Sequence, residues 1–574
     1  MRSSPAPSDL AAVADGILDD LFARRPEWAT ELGDHRFDDR LTDYGRGAHA
    51  DLVRALARHR AALDRVDVAG LDPEAAVDRS MLSDLLAAQE FEATALREHE
   101  WNPLVHLPGH ALHRLLARPF APAPDRLRLL AGRLGALPDA LATARRVLGP
   151  MPRVHVETAV GQAGGLAGLI GADVGAMLAG EPSLRSLVEP AQAAALRAVE
   201  EFADWLRDRL PGAAAGSGAG ADTEADRGAG DDGRLDADPR GPRLGERLWA
   251  GRLGHALASD LTSAEIVSAA RERLDWLSEE IAAVAAEFLG EPAGPGVVRR
   301  ALDRVAADAP TDATVVADIR AALAEVNAFL AATELVGPTD APLEVVVMPE
   351  FARGVSVAYC DPPGPLETAP LTTFYAIAPT LAGWPEERRR SFYREYNRAS
   401  LRNLTVHEAI PGHHLQLAAS TRFRGPTRVR AAAWSGTFTE GWAVYAEQLM
   451  AEAGFGGLPV RLQQLKVQLR MTINALLDHG VHCEGMSRAE AMSLMRDRGL
   501  QEEGEAFGKW RRALLTSGQL STYFVGWKEL TELRQSLSPA PSALRAFHDE
   551  LLAHGSPPPR HLRALLRTSA FITA

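Results

Sequence analysis

The sequence predicts a mainly α-helical protein, a large helical array carrying one small β-sheet, and three observations predict it. Over most of the chain apolar residues recur every three or four positions, in runs such as LAAVADGILDDLF and DRLRLLAGRLGALPDALATARRVL, the spacing of an amphipathic helix. One region departs from that period: LEVVVMPE (343–350), VSVAYC (355–360) and LTTFYAIAP (371–379) are short, rich in β-branched or aromatic residues and bounded by Gly and Pro, which reads as strands. A third stretch, residues 211–242, is Gly, Ala, Asp and Arg with almost no large apolar side chain, so it cannot repay the entropy of ordering.

Taken in order, residues 1–210 read as an N-terminal helical region and residues 211–242 as a flexible, low-complexity insertion. The GSGAG within the insertion lacks the preceding strand and following helix that a phosphate loop requires. Residues 243–574 read as a second helical region, continuous with the first in one fold and holding the sheet at 343–379. Its first long helix starts at Thr262 with Glu265 three positions on, the pattern of a capping box. After the sheet come helical stretches at roughly 386–420, 436–452 and 458–498, then a helical tail beyond Gly504. No internal repeat is evident.

Composition narrows the class of partner. The 574 residues are 46% hydrophobic and 24% charged, ordinary for a folded globular protein. The net charge of −14, from 62 Lys plus Arg against 76 Asp plus Glu, argues against a nucleic-acid partner. Lysine occurs only at 466, 509 and 528, a skew that reads as genome composition. Cys360 and Cys483 are the two cysteines, too few for a disulfide framework and suited to a reducing compartment. No export signal is read at the N-terminus, and the uncharged stretch Thr158–Ala172 falls short of the ~20 apolar residues that span a bilayer. The expectation is a cytoplasmic protein without a membrane partner; its oligomeric state is left open.

The chemistry concentrates in TVHEAIPGHHLQ, which places His407, Glu408, His413 and His414 within eight residues. Zinc hydrolases present two imidazoles and a base as H-E-x-x-H, because residues i and i+4 share one helical face. Here the i+4 position is Pro411. On an unbroken helix His413 stands six residues, about 9 Å of rise, beyond His407, too far for two Zn–N bonds of about 2.0–2.1 Å. Pro411 and Gly412 can form a bulge that absorbs two residues and returns His413 to the second-ligand position, with His414 as the alternative ligand or a substrate contact. Glu440, 33 residues after His407 in SGTFTEGWAVYAEQL, supplies a third ligand, with Glu447 two turns later on the same face. Two His and one Glu leave a coordination position open, the catalytic zinc arrangement.

HEAIPGHHLQ and TEGWAVYAE, with YREYNRAS before them and GQLSTYFVG after, resemble bacterial proteins of domain of unknown function 885, a family regarded as zinc-metallopeptidase-like. The resemblance runs from PEWATELGDHRFDDRL to the C-terminal quarter. It implies that the family pattern H-E-x-x-P-G-H falls on His407, Glu408 and His413, and the EGWA glutamate on Glu440. SGTFTE is more loosely similar to the third-ligand segment of thimet-type oligopeptidases, whose H-E-x-x-H is unbroken.

From these parts the expected function is hydrolysis of peptide bonds in short peptides or peptide-like small molecules, dependent on Zn2+, with Glu408 as general base. Tyr523 is the first candidate for the oxyanion donor and His482 the second, while His414, Tyr445 and Arg470 are candidate substrate contacts and Asp478 a possible orienting group. Strand addition to an exposed edge of the sheet suggests contacts from Arg353, Tyr359 and Tyr375. Two groupings mimic metal sites: His479, His482 and Cys483, whose adjacent members diverge on a helix, and His106, His110 and His113, interrupted by Pro108 and Gly109. The competing readings are a non-catalytic helical binding protein that retains the fold, and a zinc hydrolase of a non-peptide amide.

Overall fold

The computed structural model describes residues 9–210, 240–348, 357–380 and 383–566; most of the expected insertion, Arg353 and parts of the first two strand candidates lie outside them. The chain is 72% helical with a three-stranded sheet. It divides into two compact units, one of Met1–Leu244 with Pro363–Leu371 and Pro426–Ala432, the other of Gly245–Pro362, Thr372–Gly425 and Ala433–Ala574.

Among its described residues the first unit has helices and no strand. Helix Ala123–Val147 buries Leu127, Leu130, Leu134, Leu137 and Leu141, a stripe at three- and four-residue spacing. That helix packs against Arg185–Arg207, which buries Val188, Ala195, Val199, Phe202 and Leu206. Among the buried residues is Arg133, whose Nε donates to the Arg40 carbonyl at 2.9 Å and whose Nη2 donates to Thr30 Oγ1 at 2.8 Å. By length and composition the run Arg153–Ala179 is apolar enough to cross a membrane, a property that core helices share; it packs on Arg185–Arg207. In the histidine grouping nearby, His106 Nε2 is engaged by the His99 carbonyl at 2.9 Å.

In the second unit, Ser263–Leu289 opens with the expected capping box between Thr262 and Glu265 and closes at Gly290, whose φ of 69° terminates it. The sheet consists of β1 (Leu343–Val347), β2 (Ala358–Asp361) and β3 (Thr373–Ile377) in the order β1-β3-β2. β1 runs parallel to β3, with Val345 opposite Tyr375, and β2 runs antiparallel to it, with Cys360 opposite Tyr375. Val345, Tyr375 and Ile377 share a core with Val315, Ile319, Leu401 and Ala409. The sheet is thereby fixed against the helix that carries His407.

The helical stretch expected at 386–420 is three helices. Glu386–Glu395 comes first, followed by α1 (Arg398–Glu408) and α2 (His413–Arg422). Beyond them lie α3 (Gly436–Glu452), α4 (Gly457–Cys483), α5 (Glu503–Leu515) and α6 (Thr522–Leu537).

Candidate metal centre

α1 begins where the Asn397 side chain accepts the Ser400 amide at 3.1 Å, and its regular bonding ends with Ala409 N to Thr405 O at 2.9 Å. The next amide bond back is Gly412 N to Val406 O at 3.0 Å. That reach of six residues, where a helix uses four, takes up the two extra positions of the motif. Leu415 N to Ala409 O repeats the same reach, and Gln416 N to Gly412 O restores helical spacing. The Pro411 carbonyl is held by Trp442 Nε1 of α3 at 2.7 Å. Only glycine fits at 412, because a Cβ there stands 2.0 Å from the His407 carbonyl oxygen and 2.3 Å from that of Val406.

The turn brings His407, at the end of α1, against His413, at the start of α2, with ring centroids 4.6 Å apart and planes at 83°. Both present Nε2 to Glu440 Oε2 of α3, at 3.7 Å for His407 and 3.4 Å for His413. Donor atoms of the three residues lie within 4.8 Å of one another. Two tetrahedral ligands at the usual Zn–N and Zn–O lengths stand about 3.4 Å apart, so the spacing admits a zinc-sized cation. Glu440 Oε2 is buried without a hydrogen-bond partner, the condition a bound cation relieves. On the far side of His407, Nδ1 meets Glu447 Oε1 at 2.6 Å, and Glu447 Oε2 accepts from Asn403 Nδ2. A carboxylate on Nδ1 fixes the ring and leaves Nε2 free for a metal.

Charge in the cluster is strongly biased. Burial opposes protonation of His407, but the carboxylates of Glu440 and Glu447 outweigh it and hold the imidazole well above its usual range. Burial raises the Glu440 carboxyl, and the two histidines overcome that and depress it. Glu408 is 7% exposed. Burial pushes its carboxyl up against the pull of His407 and His413, and the Cys360 amide of β2 donates to it.

Tyr523 stands near Glu440, whose negative charge it senses, because α3 and α6 cross in contact. A Cβ on Gly526 would lie 1.9 Å from the Thr437 carbonyl oxygen, and one on Gly441 would lie 2.3 Å from the Gly526 carbonyl carbon. Arg512 Nη2 of α5 donates to Tyr523 Oη at 3.1 Å. Burial raises the Tyr523 hydroxyl, so it stays protonated.

Other expected site residues have structural roles instead. His414 turns away from the triad, with Nε2 on the Ala341 carbonyl at 3.2 Å, because adjacent positions on α2 point in different directions. Tyr445 is 2% exposed and its hydroxyl is engaged by His548 Nε2 at 2.7 Å, which corrects its expected substrate contact. Arg470 is likewise corrected: Nη2 is bound by Glu395 Oε1, and Nη1 lies 3.7 Å from Glu505 Oε1. His482 Nε2 is engaged by the Thr516 carbonyl at 2.9 Å. Asp478 accepts from Trp249 Nε1, Gly518 N and Ser521 Oγ. Both therefore brace the segment leading into α6 and Tyr523. Tyr375 is wholly buried in the sheet core, while Tyr359 on β2 is half-buried.

Asn403 was not anticipated, although it lies one turn before His407 on the same face. Lys509 and Arg512 were not anticipated either; the rarity of lysine was the available signal for Lys509.

The chain belongs to the family described as bacterial protein of unknown function (DUF885), whose model matches residues 26–566. Its fold is similar to that of a provisionally assigned lipoprotein of unknown function from Shewanella oneidensis, at 26% identity and a TM-score of 0.78, over 98% of this chain and 100% of that one. A second provisionally assigned lipoprotein, from Colwellia psychrerythraea, shares the fold at 18% identity and a TM-score of 0.76, over 98% and 99% of the two chains. No curated protein matches the chain significantly.

Proposed function

We propose that this member of the family is a zinc-dependent hydrolase that cleaves peptide bonds of short peptides. The observation that carries the proposal is the convergence of His407 Nε2, His413 Nε2 and Glu440 Oε2, with Glu447 behind His407 and Glu408 next in the chain. Zinc held by the three would supply a Lewis acid that acidifies water at the open position and polarises the scissile carbonyl.

Glu408 takes the proton of the attacking water on its carboxylate and delivers it to the leaving amide nitrogen. Its raised affinity for protons suits both halves of that task. The Tyr523 hydroxyl donates to the oxygen that gains charge. Because Arg512 donates to Oη, the hydroxyl hydrogen remains available for the substrate. β2 supports a peptide as substrate: among the described residues it is an edge of the sheet, and its Cys360 amide already meets Glu408, so an extended backbone laid along it passes the base.

The compartment expected from the sequence is the cytoplasm. The lipoprotein descriptions of the two related structures support a second reading, a place in the cell envelope, and cell fractionation separates the two.

The test combines metal analysis with a peptide-library assay on wild type and Glu408→Gln. Zinc is expected in both proteins, with turnover reduced about 10²- to 10⁴-fold in the variant. Equal turnover removes Glu408 as the base. Absence of bound metal and of turnover in wild type favours a non-catalytic binding protein, and turnover confined to non-peptide amides favours the other hydrolase class.

A further inference from the structure

α5 carries two cations on one face, Lys509 and Arg512, three residues apart. Lys509 is 9% exposed, yet it makes no hydrogen bond or ion pair with the described residues. Arg512 uses Nη2 for Gln519 Oε1, at 2.7 Å, and for Tyr523 Oη. Its Nε and Nη1 have no hydrogen-bond partner among the described residues. Arg512 is tied to the site through Tyr523, which lies on α6 one turn before Gly526, where that helix crosses α3 against Gly441, the residue after Glu440; Lys509 is three residues before Arg512 on the same helix.

The neighbouring acids are already committed. Glu395 is held by Lys466 at 2.8 Å and by Arg470, and it also accepts the Glu502 amide at 3.0 Å. Glu505 accepts the Tyr396 hydroxyl at 2.8 Å and faces Arg470. Lys509 therefore senses Arg512 and Arg470 on one side and Glu505 and Glu440 on the other, and both carboxylates are taken, Glu505 by Tyr396 and Glu440 by the two histidines it faces. An ammonium held mostly out of water without a counter-ion among the described residues is costly, and burial together with Arg512 pushes the Lys509 amine down to about 7. An arriving anion removes that cost, and zinc on the triad would add positive charge nearby. The lysine at 509, in a chain that otherwise uses arginine almost everywhere, supplies a compact point charge on a flexible stem.

We infer that Lys509 and Arg512 form a binding site for the C-terminal carboxylate of the substrate, so that the protein takes short peptides with a free C-terminus and releases fragments from that end. This rests on the peptidase reading and adds the substrate class. Arg512 spans the two tasks, donating through Nη2 to Tyr523 at the reacting carbonyl and leaving Nη1 for a charge-assisted hydrogen bond to the carboxylate.

The test compares one short peptide as free acid and as C-terminal amide, with a third, amidated peptide carrying an internal Asp. Binding to zinc-loaded Glu408→Gln is measured by calorimetry, and cleavage by zinc-loaded wild type is followed in parallel. The free acid is expected to bind about 10- to 100-fold tighter than the amide, the range of a hydrogen bond to a charged group. Adding Lys509→Met is expected to bring that ratio near unity with zinc content unchanged, and Lys509→Arg to restore part of it.

Equal binding of acid and amide overturns the inference, and so does an unchanged ratio in a folded Lys509→Met protein. If that variant does not fold, the acid-to-amide comparison in the parent decides alone. Selective binding of the acid without cleavage by wild type overturns the peptidase reading and leaves the carboxylate site standing. An amidated Asp peptide that binds as tightly as the free acid overturns the C-terminal assignment.

Discussion

Gly412→Ala tests the turn on which the metal centre depends. The added Cβ would stand 2.0 Å from the His407 carbonyl oxygen and 2.3 Å from that of Val406. Cβ atoms do not approach such atoms closer than 3.0 Å, so 3.0 − 2.0 = 1.0 Å of displacement must be absorbed. Both oxygens belong to the backbone at the last turn of α1, so no flexible side chain can yield. The φ at 412 is negative, −74°, so the cost worked out here is that of the contact and not of a left-handed backbone. A shift of that size is several times the ~0.2 Å tolerance of a metal–ligand bond, and it separates His413 from His407. Zinc affinity is expected to fall at least about 100-fold, exceeding the ~10- to 100-fold cost of losing an outer partner. Stability should fall by about 1–3 kcal/mol from overpacking. A chelator-competition titration measures the first quantity and thermal unfolding with and without zinc the second. Wild-type zinc affinity with an unchanged melting temperature would refute the reasoning.

Three further outcomes are expected. Glu447→Gln removes the carboxylate on His407 Nδ1, and zinc should bind about 10- to 100-fold more weakly; equal affinity in the same titration counts against that role. Gly526→Ala places a Cβ 1.9 Å from the Thr437 carbonyl oxygen, so the α3–α6 crossing must open at a cost of about 1–3 kcal/mol; denaturant unfolding measures it, and wild-type stability contradicts the contact. Burial pushes the Glu529 carboxyl from 4.5 up to about 7, against its hydrogen bond with Ser259. The folded state therefore binds more protons than the unfolded one between those values, so this group's contribution is fully present below pH 4.5 and is lost as pH rises through 7. Glu529→Gln should be more stable than wild type by on the order of 1–2 kcal/mol at pH 8, with a smaller gain at pH 5. A gain that does not vary with pH excludes this cause.

The helical class, the capping box at Thr262 and the position of the three strands were legible because each rests on local periodicity or local hydrogen bonding. The grouping of His407, His413 and Glu440 was legible for a related reason. Pro411 and Gly412 declare a break where a regular helix would separate the imidazoles, and a break of two residues restores them. Tyr445, Arg470 and His414 were read differently because a sequence shows the chemical type of a side chain and not its neighbour. His548 lies 103 residues after Tyr445, and Glu395 lies 75 residues before Arg470.

The sequence by itself determined which segments are helix or strand, and which turn gathers the histidines, since those follow from steric and hydrogen-bonding limits acting over a few residues. Only the tertiary structure decided that Glu440 faces the two rings, that Glu447 and Asn403 brace one of them, and that Lys509 has no hydrogen-bond or ion-pair partner among the described residues. Those facts depend on helices crossing at contacts such as Gly441 with Gly526. Close packing there joins residues far apart in the chain, and no local pattern encodes which distant partner will fill the space.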